Sequence, residues 1–194
     1  IGENETKICQ LIRKDLIDEF ISFVNQNSLS LMMKIELSIF ETNRFIIKRK
    51  NPSLIEYAAF FGSIQIFRYL YLNKVELTQS LWLYAIHGRN PEIIHILEEK
   101  QIVPSDVSYF ECFDECIKCH HNEIADYIKL NIIDPKNEIE DEYDFFSSSI
   151  KSYNYAFIPT DLDNTLAFYD LCQYDYISIV KMLFMKKNIN INSK

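Results

Sequence analysis

Tyr57-Ala58-Ala59-Phe60-Phe61-Gly62-Ser63-Ile64-Gln65-Ile66-Phe67-Arg68-Tyr69-Leu70 decides the fold class. Two alanines, a Gly-containing break and then apolar Ile66, Phe67 and Leu70 read as a helix, a tight turn and a second helix with one buried stripe. Polar Gln65 and Arg68 fall on the other side of that second helix. Local punctuation agrees. Ser53 and Glu56 have the spacing of a capping box at the first helix start. Gly62 suits the left-handed backbone that ends a helix, and Ser63 suits the cap of the next.

The pattern recurs without gaps at Tyr84 to Leu97, Glu115 to Ile128 and Asp170 to Leu183, with a weaker copy from Leu11 to Val24. Ala58, Ala85, Cys116 and Leu171 share one column; Ile66, Ile93, Ile124 and Ile179 share a second; Leu70, Leu97, Ile128 and Leu183 share a third. The first column steps by 27, 31 and 55 residues. Two steps lie near a period of roughly 33 residues, and the third leaves room for an insertion. In the second copy Asn90-Pro91-Glu92 supplies an N-cap, a first-turn proline and a first-turn acid.

A helix pair of this kind cannot bury its apolar side alone, so the pairs must stack. The expectation is an all-α solenoid of about five helix-turn-helix pairs forming one domain over 1–194, with pairs near 6–26, 52–73, 79–100, 107–131 and 164–187. Two insertions interrupt it. Segment 28–51 is expected to hold an extra helix with Leu31, Ile35, Ile39 and Phe40 on one side. Segment 134–160 carries the acidic run Glu138-Ile139-Glu140-Asp141-Glu142-Tyr143-Asp144 and reads as a solvated loop, with a binding element as the alternative.

Composition narrows the function classes. Only 3 Gly and 5 Pro in 194 residues argue against a turn-rich β-sandwich or barrel. With 14 Phe and 12 Tyr, rings can fill a core and still supply a contact surface. A net charge of −8 argues against nucleic acid as a partner, because phosphate contacts need clustered Lys and Arg. The one dense basic run, Lys48-Arg49-Lys50, reads as a solvated helix end. No stretch approaches the roughly 20 apolar residues of a membrane span, so membrane insertion is not expected. Five cysteines, an odd number, are unlike a disulfide framework; an intracellular, cytoplasmic location follows as an expectation.

Tyr57 to Leu70 resembles the ankyrin core pattern of two alanines, a Gly-containing turn and an apolar helix; Asp175 to Leu183 is a second match. Ser53-Leu54-Ile55-Glu56 stands where that family has Thr-Pro-Leu-His. The chain is more closely similar to a divergent ankyrin-like domain family of unknown function, expanded in protists. The resembling stretches are Ser38 to Asn43, Leu54 to Leu70, Leu81 to Gly88, Asn90 to Leu97 and Ile117 to Ile124. Asn188-Ile189-Asn190-Ile191-Asn192 resembles the start of a further repeat, and the chain begins at Ile1; more repeats in a longer protein are expected.

The resemblance implies a protein-interaction module without catalytic activity or cofactor, binding a protein partner through its concave face. The position after the second alanine of each first helix tends to point there. In this chain that column is Phe60, His87, Lys118 and Gln173, with Tyr57 and Tyr84 from the same helices as further candidates. An exposed Phe60 would be a natural anchor. A rigid spacer for later repeats is an alternative role.

Two constellations invite other readings. Cys112, Cys116, Cys119 and His120 or His121 have a spacing able to hold Zn²⁺. Yet Cys112 and Cys116 fall in the core columns of Leu54/Leu81 and Ala58/Ala85, where cysteine acts as a small apolar residue. Asp161-Leu162-Asp163-Asn164-Thr165 mimics the nucleophile loop of haloacid-dehalogenase-type phosphatases. That loop opens a large α/β domain, whereas a helix-pair pattern follows here. Trp82 reads as a core residue, and His95 as one on the polar outer face.

Overall fold

The structure, a computed structural model, describes residues 3–104, 109–132, 142–158 and 165–186. Among these residues there are twelve α-helices, one 3-10 turn and no strand. The chain divides into two compact units, Ile1–Ser108 and Tyr109–Lys194.

The first unit holds three hairpins and one interposed helix. The hairpins are α1 (Lys7–Arg13) with α2 (Ile17–Gln26), α4 (Leu54–Phe60) with α5 (Ile64–Leu72), and α6 (Leu81–Gly88) with α7 (Pro91–Glu99); α3 (Arg44–Arg49) stands between the first two. The first helices α1, α4 and α6 pack in sequence as one layer, and α2, α5 and α7 as another. Between them lie the apolar stripes: Leu11, Leu54, Ala58, Ile66, Phe67, Leu70, Trp82, Ala85, Ile93 and Leu97 are all buried.

Side-chain caps fix the starts of some of these short helices. Ser53 and Glu56 close the capping box: the Ser53 amide donates to Glu56 Oε2 (2.8 Å) and the Glu56 amide to Ser53 Oγ (3.4 Å). Asn90 caps α7 by accepting from the Glu92 amide (3.0 Å), with Pro91 at the first position. The expected Ser63 cap is different. The Ser63 side chain makes no capping bond. The amides of Gln65 and Ile66 donate instead to the two carboxylate oxygens of Asp15, at 3.0 Å each. The cap of α5 thus comes from the turn of the preceding hairpin.

That leaves Ser63 free to do something else. Its hydroxyl, fully enclosed, donates to the Ile12 carbonyl oxygen (2.6 Å). Ile12 O also accepts from the Asp15 amide (2.9 Å), so it keeps one partner if Ser63 is removed. Ser63→Ala is therefore expected to cost about 1 kcal/mol, the net value of one neutral hydrogen bond, read by urea unfolding monitored by circular dichroism.

In the second unit α8 (Tyr109–Lys118) pairs with α9 (Asn122–Asn131), and α11 (Thr165–Gln173) with α12 (Ile177–Lys186). Between them stands α10 (Glu142–Lys151), packed against both α8 and α11 and followed by a 3-10 turn, Tyr155–Phe157. So part of the expected acidic loop is a helix with a buried face: Phe146, Ser147, Ser149 and Ile150 are enclosed. Residues 133–141 lie outside the described part.

Backbone geometry explains the 55-residue step. Hairpins end their first helix with a left-handed residue four after the column position: Asp15 (φ 50°), Gly62 (67°), Arg89 (51°), His120 (57°) and Asp175 (64°). The next amide folds back to the column carbonyl, as from Leu16 to Leu11, Ser63 to Ala58, His121 to Cys116 and Tyr176 to Leu171. Tyr153 (φ 54°) and the Asn154 amide, bonded to Ser149 O at 2.9 Å, repeat this arrangement. Ser149 is therefore a further member of the Ala58 column, and it splits the 55 residues into 33 and 22. Its second helix has shrunk to the 3-10 turn, whose Phe157 takes the Ile66 position and meets Phe113 edge-to-face at 5.3 Å.

A cross-hairpin bond supports the same phase. Ser63, Asn154 and Tyr176 occupy one column, and each side chain donates to a carbonyl one residue past the column position of the hairpin before it. These are Ile12 O (2.6 Å), Ile117 O (3.1 Å) and Ile150 O (3.0 Å).

The 28–51 insertion also departs from expectation. Its helix is α3, not a helix through Leu31 to Phe40. Ile35 is buried, while Ile39 and Phe40 are 91% and 64% exposed. The cause is local competition for backbone donors. Ser38 Oγ accepts from the Phe40 amide and Glu41 Oε1 from the Asn43 amide, which favours turns over helix. Ile35 N donates to Pro52 O (2.7 Å), which ties the base of the loop. The helix starts only where Asn43 accepts from the amides of Phe45 and Ile46.

Candidate functional site

The expected contact column places Phe60 at the end of α4 and His87 near the end of α6, helices that pack directly together. They meet because two glycines permit a close crossing. A Cβ at Gly62 would stand 2.5 Å from Gly88 O, and one at Gly88 would stand 2.8 Å from Gly62 N. The Asn90 amide nitrogen donates to Gly62 O (3.0 Å) across the same crossing.

On that face Phe60, Tyr84 and His87 surround a ring that sequence reasoning did not single out, Phe45 of α3. Phe45 stacks on Phe60 (centroids 5.8 Å, planes 16° apart), meets Tyr84 edge-on at 5.0 Å and lies 4.3 Å from the His87 ring. The His87 and Phe60 rings are themselves stacked at 4.9 Å. The Arg49 guanidinium covers Phe45 at 5.4 Å. Phe60 is therefore buried, and the expectation of an exposed anchor there is corrected: the inserted helix covers it. The signal in the sequence was the Asn43 cap followed by Phe45, Ile46 and Arg49, with ring and cation four apart on one helix side.

Tyr84 is buried as well, and its hydroxyl is pushed up by burial and by the Glu56 carboxylate. Tyr57 is buried in a different setting. Its hydroxyl oxygen accepts from Arg13 Nη1 (3.1 Å), which also donates to Asn4 O (2.6 Å), while Arg13 Nε pairs with Glu3 (3.1 Å). Both tyrosines build the unit and do not form an open contact surface. In the second unit Lys118 is exposed and ion-paired along α8 with Asp114 and with Glu115 (3.6 Å); Gln173 is exposed at the end of α11.

Two thiols of the cysteine cluster belong to the core. Cys112 and Cys116 are fully enclosed and Cys119 is half-buried. Burial lifts the Cys112 thiol to about 12 and the Cys119 thiol to about 11, and raises Cys116 further still. No three among Cys112, Cys116, Cys119, His120 and His121 bring ligand atoms within 4.8 Å of one another. Near neutral pH these thiols stay protonated and shielded. Cys172, exposed on α11, is expected to react first with an aromatic disulfide reagent. Cys9, Cys112 and Cys116 should react only as the chain unfolds; peptide mapping of the labelled protein checks this order. The phosphatase-like residues Asp161, Asp163 and Asn164 lie outside the described residues, as do Asn188 to Asn192. Trp82 is in the core, where its indole N–H donates to Ile102 O (2.5 Å).

Comparison with protein-family models, with curated proteins and with solved structures finds no match for this chain. Among the described residues no helix is long and apolar enough to cross a membrane.

Proposed function

We propose that the chain is an ankyrin-type protein-interaction module without catalytic activity, whose contact face is the layer of first helices. The observation that carries this reading is the docking of Phe45 on that layer. The Phe60 and His87 column, expected from sequence to meet a partner, already holds an aromatic side chain from a short helix. Two further features support it. In the first unit, first helices and second helices form separate layers, as in a helical repeat stack. The turns share one left-handed phase, and the cross-hairpin bonds share one column.

Affinity capture from the source cell tests the proposal. The native chain is compared with a Phe60→Ala, His87→Ala double variant of unchanged helical circular dichroism. A protein bound by the native chain and reduced at least tenfold on the variant is the expected result. Capture of nothing above background would contradict the module reading. Equal capture by both chains would contradict its placement on α4 and α6.

A further inference from the structure

Building on the interaction-module reading, we propose that the α4–α6 face is a receptor for an aromatic side chain carried on a short basic helical peptide, and that α3 is its displaceable internal occupant.

The contact has the form of a peptide seated in a groove. An amphipathic helix docks with a few anchors and leaves the rest of its surface in solvent. Of the six residues of α3, Ile46 is buried and Phe45 half-buried, while Arg44, Ile47, Lys48 and Arg49 are exposed. Six residues are too few to hold a helix in water, so α3 exists as a helix only while it is docked. Its ring lies against three others, and ring contacts of this kind are the usual anchors of protein interfaces.

The connections of α3 suit release. At the base of the loop Ile35 N donates to Pro52 O (2.7 Å) and Lys34 bridges Ser53. Lifting the segment between them leaves the Ser53–Glu56 cap of α4 untouched. At the exit Lys50 (φ 53°, ψ 139°) and Asn51 (φ 38°) are successive non-glycine residues with positive φ. Such conformations are costly and persist only where the surroundings enforce them. Release of α3 relaxes both residues. The strain therefore opposes the docking contacts and lowers the cost of opening.

The chemistry of the resident occupant defines what can replace it. It presents a phenyl ring, a guanidinium four residues later over that ring, and further cations at Arg44, Lys48 and Lys50. Without residues 44–50, the first unit (1–108) holds 8 Lys and Arg against 13 Asp and Glu, and Glu56 lies near enough to Tyr84 to act on its hydroxyl. A basic peptide with an exposed aromatic residue is thus the complementary ligand. An occupant that is seated about 99% of the time lowers the apparent affinity for an incoming peptide about 100-fold.

Two measurements test the proposal on the full chain. In the first, a labelled peptide of this chain's own residues 43–50 is titrated by fluorescence anisotropy into native protein and into Phe45→Ala protein. The variant is expected to bind at least tenfold more tightly than the native chain, and the same peptide with Phe45→Ala to bind neither. Equal binding by the two proteins, or no binding to a folded variant, would overturn the proposal. The second is hydrogen exchange of the native chain, read by mass spectrometry. Amides of 44–50 are expected to exchange at least tenfold faster than those of α4 and α6, by local opening. Exchange of all three segments together would overturn it, and this readout stands even if Phe45→Ala fails to fold. A partner captured by the native chain without any local opening of α3 would sink the displaceable occupant and leave the module reading standing.

Discussion

Gly88→Ala is expected to destabilise the first unit by about 3 kcal/mol, the upper part of the range for forcing extra atoms into a packed interior. The sign is the informative part. Gly88 ends α6, and by helix propensity alone alanine there would be favourable by about 1 kcal/mol. The crossing reverses that preference. The added Cβ meets Ala59 O below any normal contact distance and Gly62 N at 2.8 Å, and both are backbone atoms that cannot rotate aside. Gly62→Ala meets Gly88 O at 2.5 Å and must also hold φ at +67°. Thermal unfolding followed by circular dichroism reads both. An alanine variant as stable as the native chain would mean that α4 and α6 do not cross here.

Asn154→Ala is expected to cost about 2–3 kcal/mol, because it orphans buried groups and does not merely remove one bond. The side chain is enclosed in the second unit. Its amide nitrogen donates to Ile117 O (3.1 Å) and to Asn122 Oδ1 (2.7 Å), and its oxygen accepts from the Ala156 amide (3.3 Å). Asn154→Asp loses both donated bonds while keeping the shape, so it should be comparably damaging near neutral pH. Hydrogen exchange across α8, α10 and α11 locates the effect. Loss confined to the 3-10 turn would mean that Asn154 does not link α10 to the α8–α9 hairpin.

The helical character was legible because it rests on short-range chemistry. Ser53 with Glu56 and Asn90-Pro91-Glu92 set helix starts through neighbouring groups, and the structure contains both. Two features were hidden for distinct physical reasons. The hairpin at Ser149 places serine where other copies have Ala, Cys or Leu, and Asp161 where they have Leu or Ile; no apolar stripe marks it. What defines it is backbone conformation at Tyr153 and a side-chain bond spanning 37 positions, from Asn154 to Ile117. The cap of α5 is hidden in the same way, since Asp15 and Gln65 are 50 positions apart.

The candidate site was legible in half. Repeat phase identified Phe60 and His87, because a column on a helix face is a local property. It did not identify Phe45, whose partners Phe60, Tyr84 and His87 lie in two later helices. Nor did periodicity help within 28–51, where Ser38 and Glu41 satisfy backbone donors and break the helical pattern that the apolar spacing suggested. Burial of Phe60 follows from this single misplaced helix.

The most direct measurement is fluorine NMR of the full chain carrying 4-fluorophenylalanine at position 45 alone. A main resonance displaced from its unfolded position by the His87 and Phe60 ring currents is expected, linked by saturation transfer to a minor resonance at the unfolded position. A single resonance at the unfolded position in the folded protein would contradict it, because Phe45 would then not be docked on the first-helix face.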